Sequence, residues 1–127
     1  MPAELRTALI VEDMPLNQEI LDDFMTSQGY TCTIAEDGLV AVDKYFEQPF
    51  SVVLLDLHMP RFSGFDFLNA IARADPACRK QKVVVISGDS DAVDESDFGD
   101  WPNLKALHKP INLDDLSAIL SQQADAA

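Results

Sequence analysis

The sequence contains no long uninterrupted apolar run, and its start lacks the positive charges with which a secretory signal begins. A membrane-spanning helix requires about 20 mostly apolar residues, and a signal peptide places basic residues before its apolar part. The opening stretch MPAELRTALIVED reaches acidic residues too early for a signal peptide. We therefore expect a cytoplasmic protein that does not enter a membrane.

Cysteine is scarce, since only Cys32 and Cys78 occur and they lie far apart along the chain. This spacing is typical neither of a metal-binding cluster nor of a disulfide framework. We interpret both cysteines as small apolar side chains that fill space in the core.

Basic residues are also few. The chain has 9 Lys and Arg against 22 Asp and Glu, which gives a formal net charge of −13. DNA and anionic membranes are bound through basic patches, so we expect no direct contact with nucleic acid or membrane. An acidic protein can still bind a basic protein surface or a divalent cation.

The residues that are present form a regular alternation of apolar runs and helical patterns. Predicted strands cover 7–11, 31–35, 51–56, 82–87 and 104–108. Predicted helices run from Pro15 to a stop at Gly29 and over 37–48, 63–74 and 112–123, the last with Asn112 as its N-cap. In the first two helices we expect one face to be buried, formed by Leu16, Ile20, Leu21, Phe24 and Met25 and by Leu39, Val42 and Phe46.

The strand runs ALIV, VVLL and VVVI are apolar throughout, which is typical of strands covered on both faces of a parallel sheet. Right-handed crossovers then predict a doubly wound α/β fold, and the length of 127 residues predicts one domain over 1–127. Residues 89–100 contain six acids and no base where a fourth helix is expected. We therefore predict that this helix is short, frayed or mobile.

Polar side chains follow the predicted strands at the point where each strand ends. They are Glu12 and Asp13 after the first strand, Asp56 after the third, Ser87 after the fourth and Lys109 after the fifth. Because parallel strands end at one edge of a sheet, we expect these side chains to surround one crevice.

Three neighbouring carboxylates raise one another's pKa, and a hard divalent cation relieves this repulsion. Mg²⁺ takes few protein oxygens and keeps waters that a phosphate can replace. Asp56 is then either a metal ligand or a nucleophile that accepts a phosphoryl group. Lys109 supplies a positive charge for a second anion, and Ser87 supplies a hydroxyl for a phosphoryl oxygen.

Four segments in this order resemble the receiver domain of bacterial two-component response regulators. They are LIVED (9–13), VLLDLHMPRFSG (53–64), VVVISG (83–88) and LHKPI (107–111). The stretch VEDMPLNQE is also similar to the receivers of hybrid sensor kinases. The resemblance implies a five-stranded (βα)5 flavodoxin-like fold with strand order 2-1-3-4-5.

The resemblance also implies a role for each matching residue. Asp56 accepts a phosphoryl group from a histidine kinase or a histidine phosphotransfer protein. Asp56, Glu12, Asp13 and the backbone carbonyl of His58 bind Mg²⁺, for which Mn²⁺ could substitute. Ser87 donates a hydrogen bond to the phosphoryl group and transmits its presence to the surface. Lys109 pairs with the acid and the phosphate. The peptide bond that corresponds to Lys109–Pro110 is often cis in this family.

The chain departs from this family in two places. Receivers usually carry an aromatic residue three positions before the lysine, and it rotates inward when the Ser or Thr moves towards the phosphate; here that position is Ala106. The acidic segment 89–103 replaces the usual fourth helix, and we hypothesise that it changes order on phosphorylation. His58 and Asp89 stand at flanking positions that tune dephosphorylation in this family.

Each of these residues, considered alone, could have an ordinary structural role. Asp13 could cap the first helix, Ser87 could form a turn, and Lys109 could be an ordinary surface lysine. His108 is interpreted as a strand residue and not as a catalytic group. The order and spacing of the whole set favour the receiver.

We expect a signalling receiver that is a monomer and controls a downstream protein, and three other functions are alternatives to it. A phosphohydrolase would be expected to place a second acid where His58 stands, and a flavodoxin-type cofactor binder would not place acids in its first loop. A receiver-fold binding module or a phosphate sink without the ordinary switch is favoured by Ala106 but not by the complete site. No output domain is visible, and the start at Met1 favours a stand-alone regulator over a part of a hybrid kinase.

Overall fold

The computed structural model describes residues 6–59, 62–88 and 95–122. The prediction for Asp89, and the part of segment 89–103 that spans residues 89–94, therefore lie outside the described residues. Within them the chain alternates strands and helices in the predicted order. The strands are β1 (Thr7–Val11), β2 (Thr31–Ala35), β3 (Val52–Asp56), β4 (Val83–Ser87) and β5 (Leu104–His108), and the α-helices are α1 (Pro15–Ser27), α2 (Gly38–Tyr45), α3 (Gly64–Ala74) and α4 (Leu113–Ser121).

The five strands form one parallel sheet in the order β2-β1-β3-β4-β5. β3 and β4 are buried along their whole length, as their continuous apolar sequences predict. The strand order that the resemblance implied is therefore confirmed. Because β1 and β3 are neighbours at the point where the order reverses, their carboxyl ends face a common crevice.

Two apolar layers cover the sheet. One contains Leu9, Val53 and Val85 from the strands together with residues of α2 and α3, including Phe67. The other contains Ile10, Leu54 and Val84 with Leu21 and Met25 of α1 and Leu116 of α4. Alternate residues of the same strand therefore enter opposite layers, so the sheet is packed between two sets of helices.

The prediction for the buried face of α1 was partly wrong. Leu21 and Met25 are buried, but Leu16 is 66% exposed and Ile20 is 47% exposed. At about 100° per residue, Leu16 lies about 140° around the helix from Leu21. The apolar stripe of α1 is therefore wider than the part of the helix that the sheet covers.

The prediction for α2 was also partly wrong. Leu39 and Phe46 are exposed, while the small residues Gly38 and Ala41 are buried. A Cβ at position 38 would clash with the ring of Phe62. The helix therefore packs against its neighbours through its smallest residues. Apolar periodicity does not predict this, because it gives weight to large apolar side chains.

In the described part of the segment before β5, residues 95–103, the helical structure is a short 3-10 helix, Glu95–Phe98. This agrees with the predicted shortening. Phe98 is buried and its ring stacks on Phe65 of α3 at 5.1 Å between centroids, and Trp101 packs against the same core layer. The aromatic residues therefore attach the described part of this acidic segment to the domain.

No helix among the described residues is long and apolar enough to cross a membrane.

Candidate phosphoacceptor and metal site

The carboxyl ends of β1 and β3 bring three acidic residues together. Glu12, Asp13 and Asp56 each offer a carboxylate oxygen, and these oxygens all lie within 4.8 Å of one another. Glu12 and Asp56 are almost fully buried, at 1% and 2% exposed, because each continues an apolar strand into the crevice. The predicted acidic cluster is therefore present in the fold.

The loop after β1 holds the Glu12 side chain in place. Glu12 Oε2 accepts a hydrogen bond from the Met14 backbone N–H at 3.2 Å. The Gln18 side chain of α1 donates from Nε2 to the Glu12 backbone carbonyl at 2.7 Å. Gln18 was not singled out from the sequence, although its place one turn into α1 puts it within reach of the strand end.

Burial first, and the negative charge of Asp56 to a smaller extent, together raise the pKa of Glu12 to about 7, against the lowering effect of the hydrogen bond from the Met14 backbone. This group is therefore costly to ionise without a nearby cation. A hard divalent cation with oxygen ligands fits such a cluster, and Mg²⁺ prefers this donor set. The mutually repelling carboxylates of the buried Glu12 and Asp56 and the half-buried Asp13 thus fit the predicted metal.

Asp56 is held at both of its carboxylate oxygens. Oδ1 accepts the His58 backbone N–H at 2.9 Å, and Oδ2 lies 3.5 Å from Lys109 Nζ. The Lys109 backbone N–H donates to the Ser87 carbonyl at 2.7 Å, and the Lys109–Pro110 peptide bond is cis, as predicted. The nucleophile candidate is therefore aimed into the crevice with a positive charge beside it.

Ser87 lies at the end of β4, next to Asp56, whose strand pairs with β4 in register up to Asp56 and Ile86. Its side chain is fully buried, but its hydroxyl oxygen lies 3.1 Å from His108 Nδ1. The structure thus places Ser87 at the predicted edge with its hydroxyl bonded across to β5. His108 had been interpreted only as a strand residue, and equal counting along the two parallel strands would have paired it with Ser87.

The remaining predicted residues lie around this centre. The His58 side chain is exposed, and its backbone carbonyl as a metal ligand stays a prediction. Ala106 lies on β5 opposite Val85, so the small side chain stands in the sheet where the family's aromatic residue is expected.

Comparison with known proteins finds similar sequences and structures over most of the chain. The model of the family described as response regulator receiver domain matches residues 8–121. The chain is 28% identical over 119 residues to a probable chemotaxis protein CheY from Rhizobium etli, covering 93% of this chain and 92% of that protein. It is 28% identical over 117 residues to sensor histidine kinase RcsC of Salmonella typhi, covering 92% of this chain.

Among solved structures, the receiver domain of a sensor histidine kinase from Pseudomonas aeruginosa PAO1, with a magnesium ion coordinated in its active-site cleft, is 27% identical. The alignment covers 92% of this chain and 95% of that one, with a TM-score of 0.77. Several curated relatives are much longer: the chain spans 12% of RcsC and 46% of a response regulator from Streptococcus pneumoniae.

Proposed function

Because this chain belongs to the response regulator receiver domain family, we propose that it accepts a phosphoryl group on Asp56 from a phosphohistidine. The donor is a histidine kinase or a histidine phosphotransfer protein. The observation that supports this most directly is the setting of Asp56: a buried carboxylate between the acids Glu12 and Asp13 and the ammonium group of Lys109. Such a setting combines a nucleophile with groups that neutralise a phosphoryl anion.

The proposed transfer needs no further reactant. A carboxylate oxygen of Asp56 attacks phosphorus, an oxygen–phosphorus bond forms, and the phosphorus–nitrogen bond breaks. The electron pair goes to the donor imidazole, which takes a proton from solvent. Lys109, at 3.5 Å from Asp56, offsets negative charge on the incoming group.

Glu12, Asp13 and Asp56 would hold Mg²⁺, with the His58 carbonyl as a further ligand, and Mn²⁺ could substitute for it. When bound, the ion neutralises charge on the phosphoryl oxygens during transfer. The chain modifies its own carboxylate and later loses the phosphoryl group to water. It is accordingly proposed to be a self-modifying switch and not an enzyme with a separate substrate.

The phosphorylated form is proposed to shift a two-state equilibrium and so to control a protein partner. The output is atypical because Ala106 stands where the family carries its aromatic reporter. The net charge of −13 disfavours binding to nucleic acid or to an anionic membrane. We therefore propose a cytoplasmic monomer that binds protein surfaces.

The test is the mass of the intact protein after incubation with acetyl phosphate and Mg²⁺. We expect a gain of one phosphoryl group that disappears in Asp56→Asn and on addition of a chelator. Glu19→Gln, a change of an exposed acid on α1, is the matched control and should be modified like the wild type. If Asp56→Asn gained the same mass, the acceptor would lie elsewhere and the assignment would be wrong.

A receiver-fold binding module or phosphate sink is the second candidate, favoured by Ala106. This candidate predicts that the phosphorylated and unphosphorylated proteins have the same backbone amide spectrum away from the crevice. A switch predicts changes that extend to β5.

A further inference from the structure

The end of β5 carries a contact that the phosphoryl transfer itself does not use. Ser87 Oγ lies 3.1 Å from His108 Nδ1, and the two residues are directly paired in the parallel register of β4 and β5. Ser87 is fully buried, whereas His108 is exposed. The hydrogen bond therefore connects the buried edge of the site with the protein surface.

The hydrogen-bonding capacity of the two groups assigns the proton of this bond to Ser87. A hydroxyl has one proton to donate, and a neutral imidazole has one nitrogen that accepts. Among the residues that the structure describes, the Ser87 hydroxyl has no partner other than His108. If His108 donated instead, the buried Ser87 proton would have no acceptor in this part of the chain, which is unfavourable.

His108 also lies on the same face of β5 as Ala106. Side chains two residues apart in a strand share a face, so Ala106 and His108 point to the same side as Leu104, which belongs to the core layer of α2 and α3. Position 106 is where receivers are expected to carry an aromatic ring. This chain has its ring two residues later, already bonded to the hydroxyl that the ring would follow.

We propose that His108 is a positioning residue for Ser87 and performs the reporting role that Ala106 cannot perform. The inference rests on the proposed function. While Asp56 is unmodified, His108 Nδ1 accepts the Ser87 proton and holds the hydroxyl towards β5. When Asp56 carries a phosphoryl group, that single proton is donated to a phosphoryl oxygen, and the bond to the exposed imidazole breaks.

The two acceptors compete for one proton, so His108 opposes the phosphorylated state. Removing its acceptor should make binding of a phosphoryl mimic more favourable by about the net free energy of one hydrogen bond. That corresponds to roughly three- to tenfold in affinity. The effect must pass through Ser87.

The experiment measures the affinity of the full chain for beryllium trifluoride in the presence of Mg²⁺. His108→Leu should bind the mimic roughly three- to tenfold more tightly than the wild type. His108→Asn, whose amide oxygen can still accept from Ser87, should remain close to the wild type. In a Ser87→Ala background, His108→Leu should have no effect.

A second measurement follows the imidazole of His108 by nitrogen NMR in the wild type. On saturation with the mimic, the Nδ1 signal should move because it loses its donor, whereas in Ser87→Ala it should not respond. The backbone amide of His58, which donates to Asp56 Oδ1, reports that the mimic has bound.

The outcomes separate the inference from the function on which it rests. The role of His108 alone is overturned if the mimic binds at Asp56 and the His108 ring signal does not change. It is also overturned if His108→Leu increases the affinity for the mimic equally in the wild-type and Ser87→Ala backgrounds. No binding of the mimic by any variant overturns both the role of His108 and the proposed phosphoacceptor.

Discussion

Lys109 Nζ lies 3.5 Å from Asp56 Oδ2, and this ion pair joins the residue that follows the fifth strand to the buried carboxylate at the end of the third. The Asp56 carboxylate is 2% exposed while the lysine side chain is 33% exposed, so the lysine shields the acid from solvent on one side. Its charge acts on two processes with opposite sign. It attracts a phosphoryl anion and repels a divalent cation.

Lys109→Gln should therefore bind Mg²⁺ more tightly, by about three- to tenfold, and accept a phosphoryl group more slowly, by at least about tenfold. Calorimetric titration measures the first effect and the rate of mass gain with acetyl phosphate the second. Lys105→Gln, a change of a partly exposed lysine on β5, is the control and should alter neither quantity. Weaker Mg²⁺ binding by Lys109→Gln would contradict the geometry.

Glu12 predicts a pH dependence of stability in the absence of metal. Burial raises its folded-state pKa to about 7 from 4.5, so between these values the folded state holds a proton that the unfolded state has lost. Stability should then fall as pH rises through this window, by on the order of 2 kcal/mol in total. Mg²⁺ should reduce the loss at the upper end because it stabilises the ionised form.

Urea unfolding at pH values near 5 and near 8, with and without Mg²⁺, measures this dependence. Glu12→Gln has no proton to lose and should show a smaller difference between the two pH values. The exposed Glu19→Gln on α1 is the control and should behave like the wild type. The assignment to Glu12 fails if both variants retain the full pH dependence.

The stacked rings of Phe65 and Phe98 predict how the segment before β5 is attached. Phe98 is 6% exposed, so Phe98→Ala should lower the free energy of unfolding by about 3 kcal/mol. Phe46→Ala, at a ring that is 48% exposed, should cost less than about 1 kcal/mol. Denaturant unfolding compares the two, and equal losses would show that Phe98 is not an anchor.

Gly38 predicts a strict size limit at the start of α2. Because a Cβ at this position would clash with the Phe62 ring and lie 2.9 Å from the Phe62 carbonyl oxygen, Gly38→Ala should destabilise the protein by about 1–3 kcal/mol. Gly99→Ala is the matched control, since nothing lies within 4 Å of its Cβ position, and it should be neutral or slightly stabilising. Thermal unfolding distinguishes them, and a neutral Gly38→Ala would show that Phe62 moves aside freely.

Much of the architecture could be read from the chain itself. The apolar runs of β3 and β4 predicted buried parallel strands within one residue of their ends, and the polar residues that follow them predicted the crevice. Both succeed because the signal is local: a strand buried on two faces must be apolar throughout, and parallel strands must end at one edge. The order of the strands, in contrast, came from the resemblance and not from any spacing.

The tertiary structure alone decided which side chains meet. Apolar periodicity placed Leu16 and Leu39 inside, yet both are exposed, because the width of a helix's contact with the sheet depends on its neighbours. Trp101 could not be placed from the sequence and packs against the core.

The bond from Ser87 to His108 spans 21 residues and exists only because β4 and β5 align in one register. The sequence by itself determined the elements and the chemical groups at their ends, since these follow from local apolar character. The pairing of those groups follows from register and packing, which arise only when distant segments assemble.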